Sequence, residues 1–344
     1  MAPLQPRIVL VRLSSMGDVI LTTPLVRALR ARHPEAEMVY LTRPAFAPLV
    51  REHPAGVEVM TFDPKTELLG ELAARLRARK FTHLLDLHGV TRTRLLRVLV
   101  PGNWRGYSKR RVARWMLVHT KRDVYGDAVP EAERFFEAAR ELDVKPDGGP
   151  AEVGIGAAAA AGGAAWLASH GLGGRPIAAL APGAAHFTKR WPTEYWEKLS
   201  GSLVAQGYDV AVLTGGDFRD EGAVIAAAGG AHAASTAGAL GLLETAAVLR
   251  ASRVAVSGDT GLMHLATAVG TRVVALFGPT VKQFGFFPYR SPATVLEVAL
   301  GCRPCSAQGG AACPLGHHRC QREILVGTVV NAVVSRQSSE RGQS

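Results

Sequence analysis

Residues 253–280, RVAVSGDTGLMHLATAVGTRVVALFGPT, decide the fold. They read as a buried strand at 254–256, a tight polar turn of Ser257, Gly258, Asp259, Thr260 and Gly261, a helix from Leu262, and a second buried strand at 273–277. Short apolar runs bounded by turn residues fit strands covered on both faces, and strand-helix-strand order fits a parallel pair. The polar turn then lies at the carboxyl end of a strand, where open α/β sheets bind ligands. Asp259, Thr260 and Gly261 stand where a helix start leaves backbone N–H groups without partners. Those groups and the helix dipole favour a phosphate. His264 follows Gly261 by three residues, close to one turn, so it can face the same group. The alternative is a helix cap beside a core histidine.

Working outward, the same scheme recurs. Residues 8–13 form an apolar run broken by Arg12, followed by Ser14, Ser15, Met16, Gly17 and Asp18 and a helix with apolar positions Val19, Leu21, Leu25, Val26 and Leu29. A strand at 37–42, a helix at 66–79 and a strand at 81–87 follow, then His88-Gly89 and a further helix. The segment around 143–156 turns polar and Gly/Pro-rich, and an Ala/Gly-rich helix at 157–169 comes next. The pattern then restarts, with a strand at 177–180, a loop through Gly183, a helix from Thr193, a strand at 210–213 and the turn Gly215-Gly216-Asp217. Repeated β and α units predict doubly wound parallel sheets, and 344 residues exceed one ordinary core. The expectation is an α/β chain of two Rossmann-like domains facing a central cleft, divided at 155/156. The second domain should end near 330, with a polar, disordered tail after it.

Bulk composition narrows the function. Hydrophobic content of 47% with 20% charged residues describes a globular chain, and no apolar run reaches the roughly 20 residues of a membrane span. The N-terminal apolar run ends in Gly17-Asp18 without a cleavage site, so it reads as a first strand and the protein is expected in the cytoplasm. The net charge of +11 is uneven: ten Lys and Arg and no Asp or Glu lie between residues 87 and 122. Such a block attracts polyanions. Aromatic residues there are few, and no nucleic-acid motif is present. An acidic acceptor or an anionic membrane surface is the better partner.

Asp18 opens a helix, whose dipole keeps a carboxylate ionised and available as a base; a cap is its plain alternative. Lys189, beside a Gly-bearing loop and a helix starting near Thr193, suits a diphosphate. Glu221 could hold ribose hydroxyls, as an acid does in dinucleotide folds, or be an ordinary surface residue. There is no G-x-G-x-x-G after the first strand, no Walker-type loop and no Asp-x-Asp pair, so no cofactor is expected and no obligatory metal on a diphosphate. Cys302, Cys305, Cys313 and Cys320 have spacings that would allow zinc, but Cys-x6-Cys departs from the usual short knuckle and reduced structural cysteines are the alternative.

These residues together resemble the ADP-heptose:lipopolysaccharide heptosyltransferases of glycosyltransferase family 9, from about residue 7 to 325. The resemblance is carried by SSMGDV, LDLHG followed by Arg92, APGAAHFTKRWP, the loop from Gly216 to Glu221, SGDTGLMHLA, LFGPT and CPLGHHRC. It implies a GT-B fold with an acceptor-binding first domain and a donor-binding second one. It also implies an inverting displacement from ADP-heptose onto a phosphorylated lipid A-core acceptor. Asp18 matches the family's base. Gly183, Lys189, Glu221, Asp259, Thr260, Gly261 and His264 match the donor side, and Ser15, Gly17, His88 and Arg92 the acceptor side. His88 departs from the family's usual Gln. Two other readings stay open: a GT-B transferase or epimerase using another nucleotide sugar, and a non-enzymatic adaptor for anionic lipid.

Overall fold

The computed structural model describes residues 5–335. Its contacts divide the chain into two compact units. Among the described residues the first holds 5–157, 267–269 and 282–290, and the second holds 158–266, 270–281 and 291–335. The return of 267–269 and 282–290 to the first unit leaves no mark in the sequence pattern. The helix Val326–Val334 runs past residue 330, and the rest of the expected disordered tail, from 336, lies outside the described residues. Among the described residues no helix is long and apolar enough to cross a membrane.

The first unit is built on five parallel strands: β1 (Arg7–Val11), β2 (Glu37–Thr42), β3 (Glu58–Thr61), β4 (His83–Asp86) and β5 (Trp104–Gly106), in the order β3-β2-β1-β4-β5. In β1, Ile8 to Val11 are fully buried, as expected for a central strand covered on both faces. Val9, Val11, Val39, Leu41, Leu72, Leu76, Leu84 and Leu96 pack into one core. The strand order reverses between β1 and β4, so the loops after those two strands part there and leave a crevice at the carboxyl ends.

The second unit repeats the plan with six parallel strands: β6 (Ile177–Ala181), β7 (Asp209–Val212), β8 (Ala233–Ser235), β9 (Val254–Gly258), β10 (Arg272–Phe277) and β11 (Ala293–Glu297), in the order β11-β10-β9-β6-β7-β8. Here the order reverses between β6 and β9. Ser257 and Gly258, expected in the turn, belong to β9, because Ser257 pairs with Ala181 and Gly258 with Leu276. Its core gathers Leu180, Trp191, Trp196, Leu199, Val212, Val256 and Leu276. In both units, therefore, a switch point lies next to segments singled out from the sequence: Asp18 and His88 follow β1 and β4, and Lys189 and Asp259 follow β6 and β9.

Candidate functional site

At the β1/β4 switch point of the first unit, the helix Met16–Leu21 begins straight after the β1 loop and carries Asp18 in its first turn. Oδ2 of Asp18 accepts from the Ser15 backbone N–H at 3.1 Å and from the Ser15 hydroxyl at 2.7 Å. Nη2 of Arg12 lies 2.6 Å from the same oxygen. None of these bonds goes to Oδ1. Burial alone would push the carboxyl up, but the charge of Arg12 and the Ser15 hydrogen bonds outweigh it, and the pKa falls below the usual carboxylate value. Asp18 is thus held ionised.

Arg12 is the residue the sequence reading passed over. It sits at the end of β1, buried, with Nη1 donating to the Leu87 carbonyl at 2.5 Å and to the Tyr107 hydroxyl at 3.4 Å. Tyr107 donates in turn to Glu131 at 2.8 Å, and Glu131 pairs with buried Arg134 at 3.0 Å. The carboxyl ends of β1, β4 and β5 are therefore tied through one charged chain. The only sequence signal was a lone arginine inside an apolar run.

His88 is buried beyond β4, and its backbone N–H donates to Asp86 at 3.0 Å. Burial and the nearby charges of Arg12 and Lys109 push its pKa down to about 3, so its imidazole is neutral near pH 7. Lys109, half-buried, drops to about 8 through burial first and Arg12 second, and both it and His88 feel the charge of Asp18. Ser15 is exposed and Gly17 buried beside Asp18. Arg92 is exposed in the helix Thr91–Leu99 and makes no ion pair among the described residues. The structure thus brings Ser15, Gly17, Asp18 and His88 together, with Arg12 and Lys109 added.

At the β6/β9 switch point of the second unit, Lys189 closes the loop after β6. Its Nζ lies 2.6 Å from Oδ2 of Asp259 and donates to the Asp259 carbonyl at 3.2 Å. Thr280, at the end of the loop after β10, donates to the same carboxylate at 2.7 Å. The Asp259 carboxylate is therefore turned into the protein, onto Lys189 and Thr280. A Cβ at Gly258 would stand 3.1 Å from the Lys189 carbonyl oxygen, so the small residue lets the β6 loop lie against β9. Thr260 and Ser257 share a hydrogen bond at 3.1 Å, and the helix Gly261–Ala268 starts at once, carrying buried His264.

Gly183 faces the ring of Phe218, 3.0 Å from where its Cβ would be, and Arg190 stacks over that ring at 4.8 Å. Glu221 lies in the first turn of the helix Arg219–Ala227 and accepts from the Thr193 hydroxyl at 2.8 Å, which links two helix starts. All the expected donor-side residues thus sit on the loops and helix starts that follow β6, β7 and β9.

The zinc that the cysteine spacing allowed finds no assembled site: among the described residues no group of three or more His, Cys, Asp or Glu is placed to hold a metal ion. Burial, with the other three cysteines near it, pushes the Cys320 thiol up to about 11. The segment instead braces the Lys189 loop. Thr188 and Gly310 exchange hydrogen bonds at 3.1 and 2.8 Å, and His318 stacks on Phe187 at 4.9 Å.

A family model described as glycosyltransferase family 9 (heptosyltransferase) matches residues 69–314. The lipopolysaccharide heptosyltransferase 1 of Pseudomonas aeruginosa is 28% identical over 325 residues, covering 87% of this chain and 86% of that protein. The solved ADP-heptose heptosyltransferase II of E. coli has a TM-score of 0.73 at 23% identity and covers 95% of this chain and 97% of its own. E. coli WaaC with ADP-2-deoxy-2-fluoro heptose has a TM-score of 0.65 at 22% identity, with coverages of 89% and 96%.

Proposed function

The chain belongs to glycosyltransferase family 9, with two Rossmann-like units of the GT-B kind, and from that premise we propose that it moves heptose from ADP-heptose to the inner core of lipopolysaccharide by a single inverting displacement. Family membership makes it a glycosyltransferase and sets aside the non-enzymatic adaptor. The observation that carries the mechanism is the setting of Asp18, ionised at a switch point with three donors on Oδ2 and none of those bonds on Oδ1. Oδ1 takes the proton of the acceptor hydroxyl. The freed oxygen attacks the anomeric carbon from the face opposite the ADP, and the bond to the ADP oxygen breaks with its electron pair.

The departing diphosphate gains negative charge. Lys189 and the backbone N–H groups at the start of the helix Gly261–Ala268 receive it, and this charge stabilisation is the second half of catalysis. Asp259 acts on Lys189: it holds the ammonium in place before the donor arrives. Gly183, Glu221, Thr260 and His264 complete the donor side, and Ser15, Gly17, His88 and Arg92 the acceptor side. Contact with an anionic membrane face at the cytoplasmic side belongs to the same reading, supported by the basic, partly apolar surface of the helices Thr91–Leu99 and Arg111–Thr120.

The test is transfer from ADP-heptose to a truncated lipopolysaccharide acceptor, by the wild type and Asp18→Asn, with and without chelator. Asp18→Asn should lose about 10²–10⁴-fold in kcat and keep its thermal stabilisation by ADP. Undiminished transfer by the variant removes Asp18 as base, a chelator-sensitive rate removes the metal-free mechanism, and equal stabilisation by UDP removes the ADP assignment.

A further inference from the structure

The first unit carries a polar pocket of about 310 Å³ beside the Asp18 cluster. Its walls come from the helix Thr91–Leu99, through Arg94 and Arg97, from the turn after β5, through Lys109 and Arg110, and from the start of the helix Arg111–Thr120, through Arg111. Five cations therefore line it against one acid, Asp86. That acid is already spent: Oδ1 accepts from the N–H groups of His88 and Gly89 at 3.0 and 2.8 Å, and Oδ2 from the Thr93 hydroxyl at 3.0 Å. Arg110 is partly neutralised by Glu137 at 3.0 Å, and Arg111 donates to the Gly89 carbonyl at 2.9 Å. Arg94, Arg97 and Lys109 have no carboxylate within ion-pair distance among the described residues.

The backbone is shaped to make this pocket. Gly89, at φ +57, occupies the left-handed region, and a Cβ there would stand 3.2 Å from Cε of Lys109. Arg110 takes φ +50 without being glycine, a conformation that costs roughly 1–3 kcal/mol and that proteins keep mainly where a site needs it. Arg94 and Arg97, three residues apart, share one helix face.

We propose that this pocket binds a phosphoryl group carried by the acceptor, as an anchor separate from the hydroxyl that receives the sugar; the proposal rests on the acceptor being a phosphorylated saccharide-lipid. A carboxylate, with one charge and a planar fork, would leave most of the five cations unmatched. A phosphoryl group brings close to two negative charges at neutral pH and three acceptor oxygens, and arginine pairs bind such oxygens in bidentate fashion. Exposed apolar side chains of the same two helices, Val98 at 77% and Val112 at 73%, suit a phosphate attached to a lipid better than a free ion.

Inorganic phosphate, titrated by calorimetry into the full chain saturated with ADP, isolates the pocket from the donor-side helix start. Arg94→Glu with Arg97→Glu should weaken phosphate about tenfold or more, and Arg94→Lys with Arg97→Lys should retain much of it. ADP binding by each variant reports its fold; should the charge reversals fail to bind ADP, Lys109→Gln is measured in their place. An unchanged phosphate affinity overturns the proposal, and so does equal competition by acetate at matched ionic strength, which would mark a carboxylate site. In the transfer assay, removing the acceptor's phosphates should raise the wild-type KM about tenfold with kcat kept, and the charge-reversed variant should treat the two acceptors within about twofold. An equal penalty in both proteins sinks the subsite. Failure of all transfer from ADP-heptose sinks the heptosyltransferase reading instead and leaves the phosphate titration to judge the pocket.

Discussion

The carboxylate of Asp18 has its environment set by a residue 6 positions earlier in the chain, Arg12, whose guanidinium is 2.6 Å away. An opposite charge at that distance lowers a carboxyl pKa by about 1–3 units. Arg12→Met should therefore move the acidic limb of the kcat profile upward by about one to two pH units, because the base must be ionised to act. Arg12→Lys, which keeps a charge, should leave the limb near its wild-type position; a merely structural Arg12 would lower the amplitude without moving it. His88 gives a second prediction. Its folded-state pKa of about 3 lies below the usual 6.5, so the unfolded chain takes up the proton first as pH falls. The stability owed to neutral His88 is complete above pH 6.5 and is lost progressively below it. From pH 7.5 to 5, wild type should lose about 1–2 kcal/mol relative to His88→Gln in urea unfolding. Equal pH slopes would show that His88 stays accessible to protons. Asp18, Lys189 and Asp259 were legible in the sequence because each follows a short apolar run and sits with small or polar residues at a helix start. Arg12 was not, because its partners Leu87 and Tyr107 are supplied by elements 75 and 95 residues away.

Among the elements, the helix Ala157–Ser169 shows how packing overrides propensity. It carries Gly162 and Gly163, which cost a helix interior about 1 kcal/mol each relative to alanine. At Gly163 a Cβ would stand 2.7 Å from the Ala247 Cβ and 3.0 Å from the Glu244 carbonyl oxygen, on the helix Leu242–Ala251. At Gly162 the nearest atoms belong to the Glu244 side chain, which can swing aside. Gly163→Ala should thus lower the melting temperature, since overpacking against backbone costs about 1–3 kcal/mol and exceeds the propensity gain, whereas Gly162→Ala should leave it unchanged or raise it. The same melting response in both variants would contradict this account of the helix pair. The contrast between central and edge strands follows similar physics. β1, β2, β4, β6, β7, β9 and β10 were legible because strands covered on both faces are largely continuous apolar runs. β3, β5, β8 and β11 were missed: they are three to five residues long, and Glu58–Thr61 and Trp104–Gly106 mix polar and small residues as edge strands do. Without those edges the switch points could be expected from the sequence but not counted out.

For the molecule as a whole, the charge of +11 matters less than where it lies. The acid-free window of residues 87–122 falls entirely within the first unit, and there the helices Thr91–Leu99 and Arg111–Thr120 interleave cations with exposed Leu95, Val98, Val112 and Trp115. Two forces then act on an anionic bilayer, and salt separates them. Each Lys or Arg close to the surface contributes about 1 kcal/mol, and that attraction shrinks as the Debye length falls from about 10 Å at 0.1 M to about 3 Å at 1 M. Burial of an apolar side chain is not screened. Flotation with vesicles containing phosphatidylglycerol should therefore recover the full chain at 0.1 M salt and progressively less as salt rises, while vesicles of phosphatidylcholine alone should recover little at any salt. Trp115→Ser with Val112→Ser should reduce binding at every salt concentration by a similar factor, whereas Arg94→Glu with Arg97→Glu should reduce it chiefly at low salt. Recovery that ignores both lipid charge and salt would mean that the cations do not drive membrane contact, and they would then serve the acceptor alone.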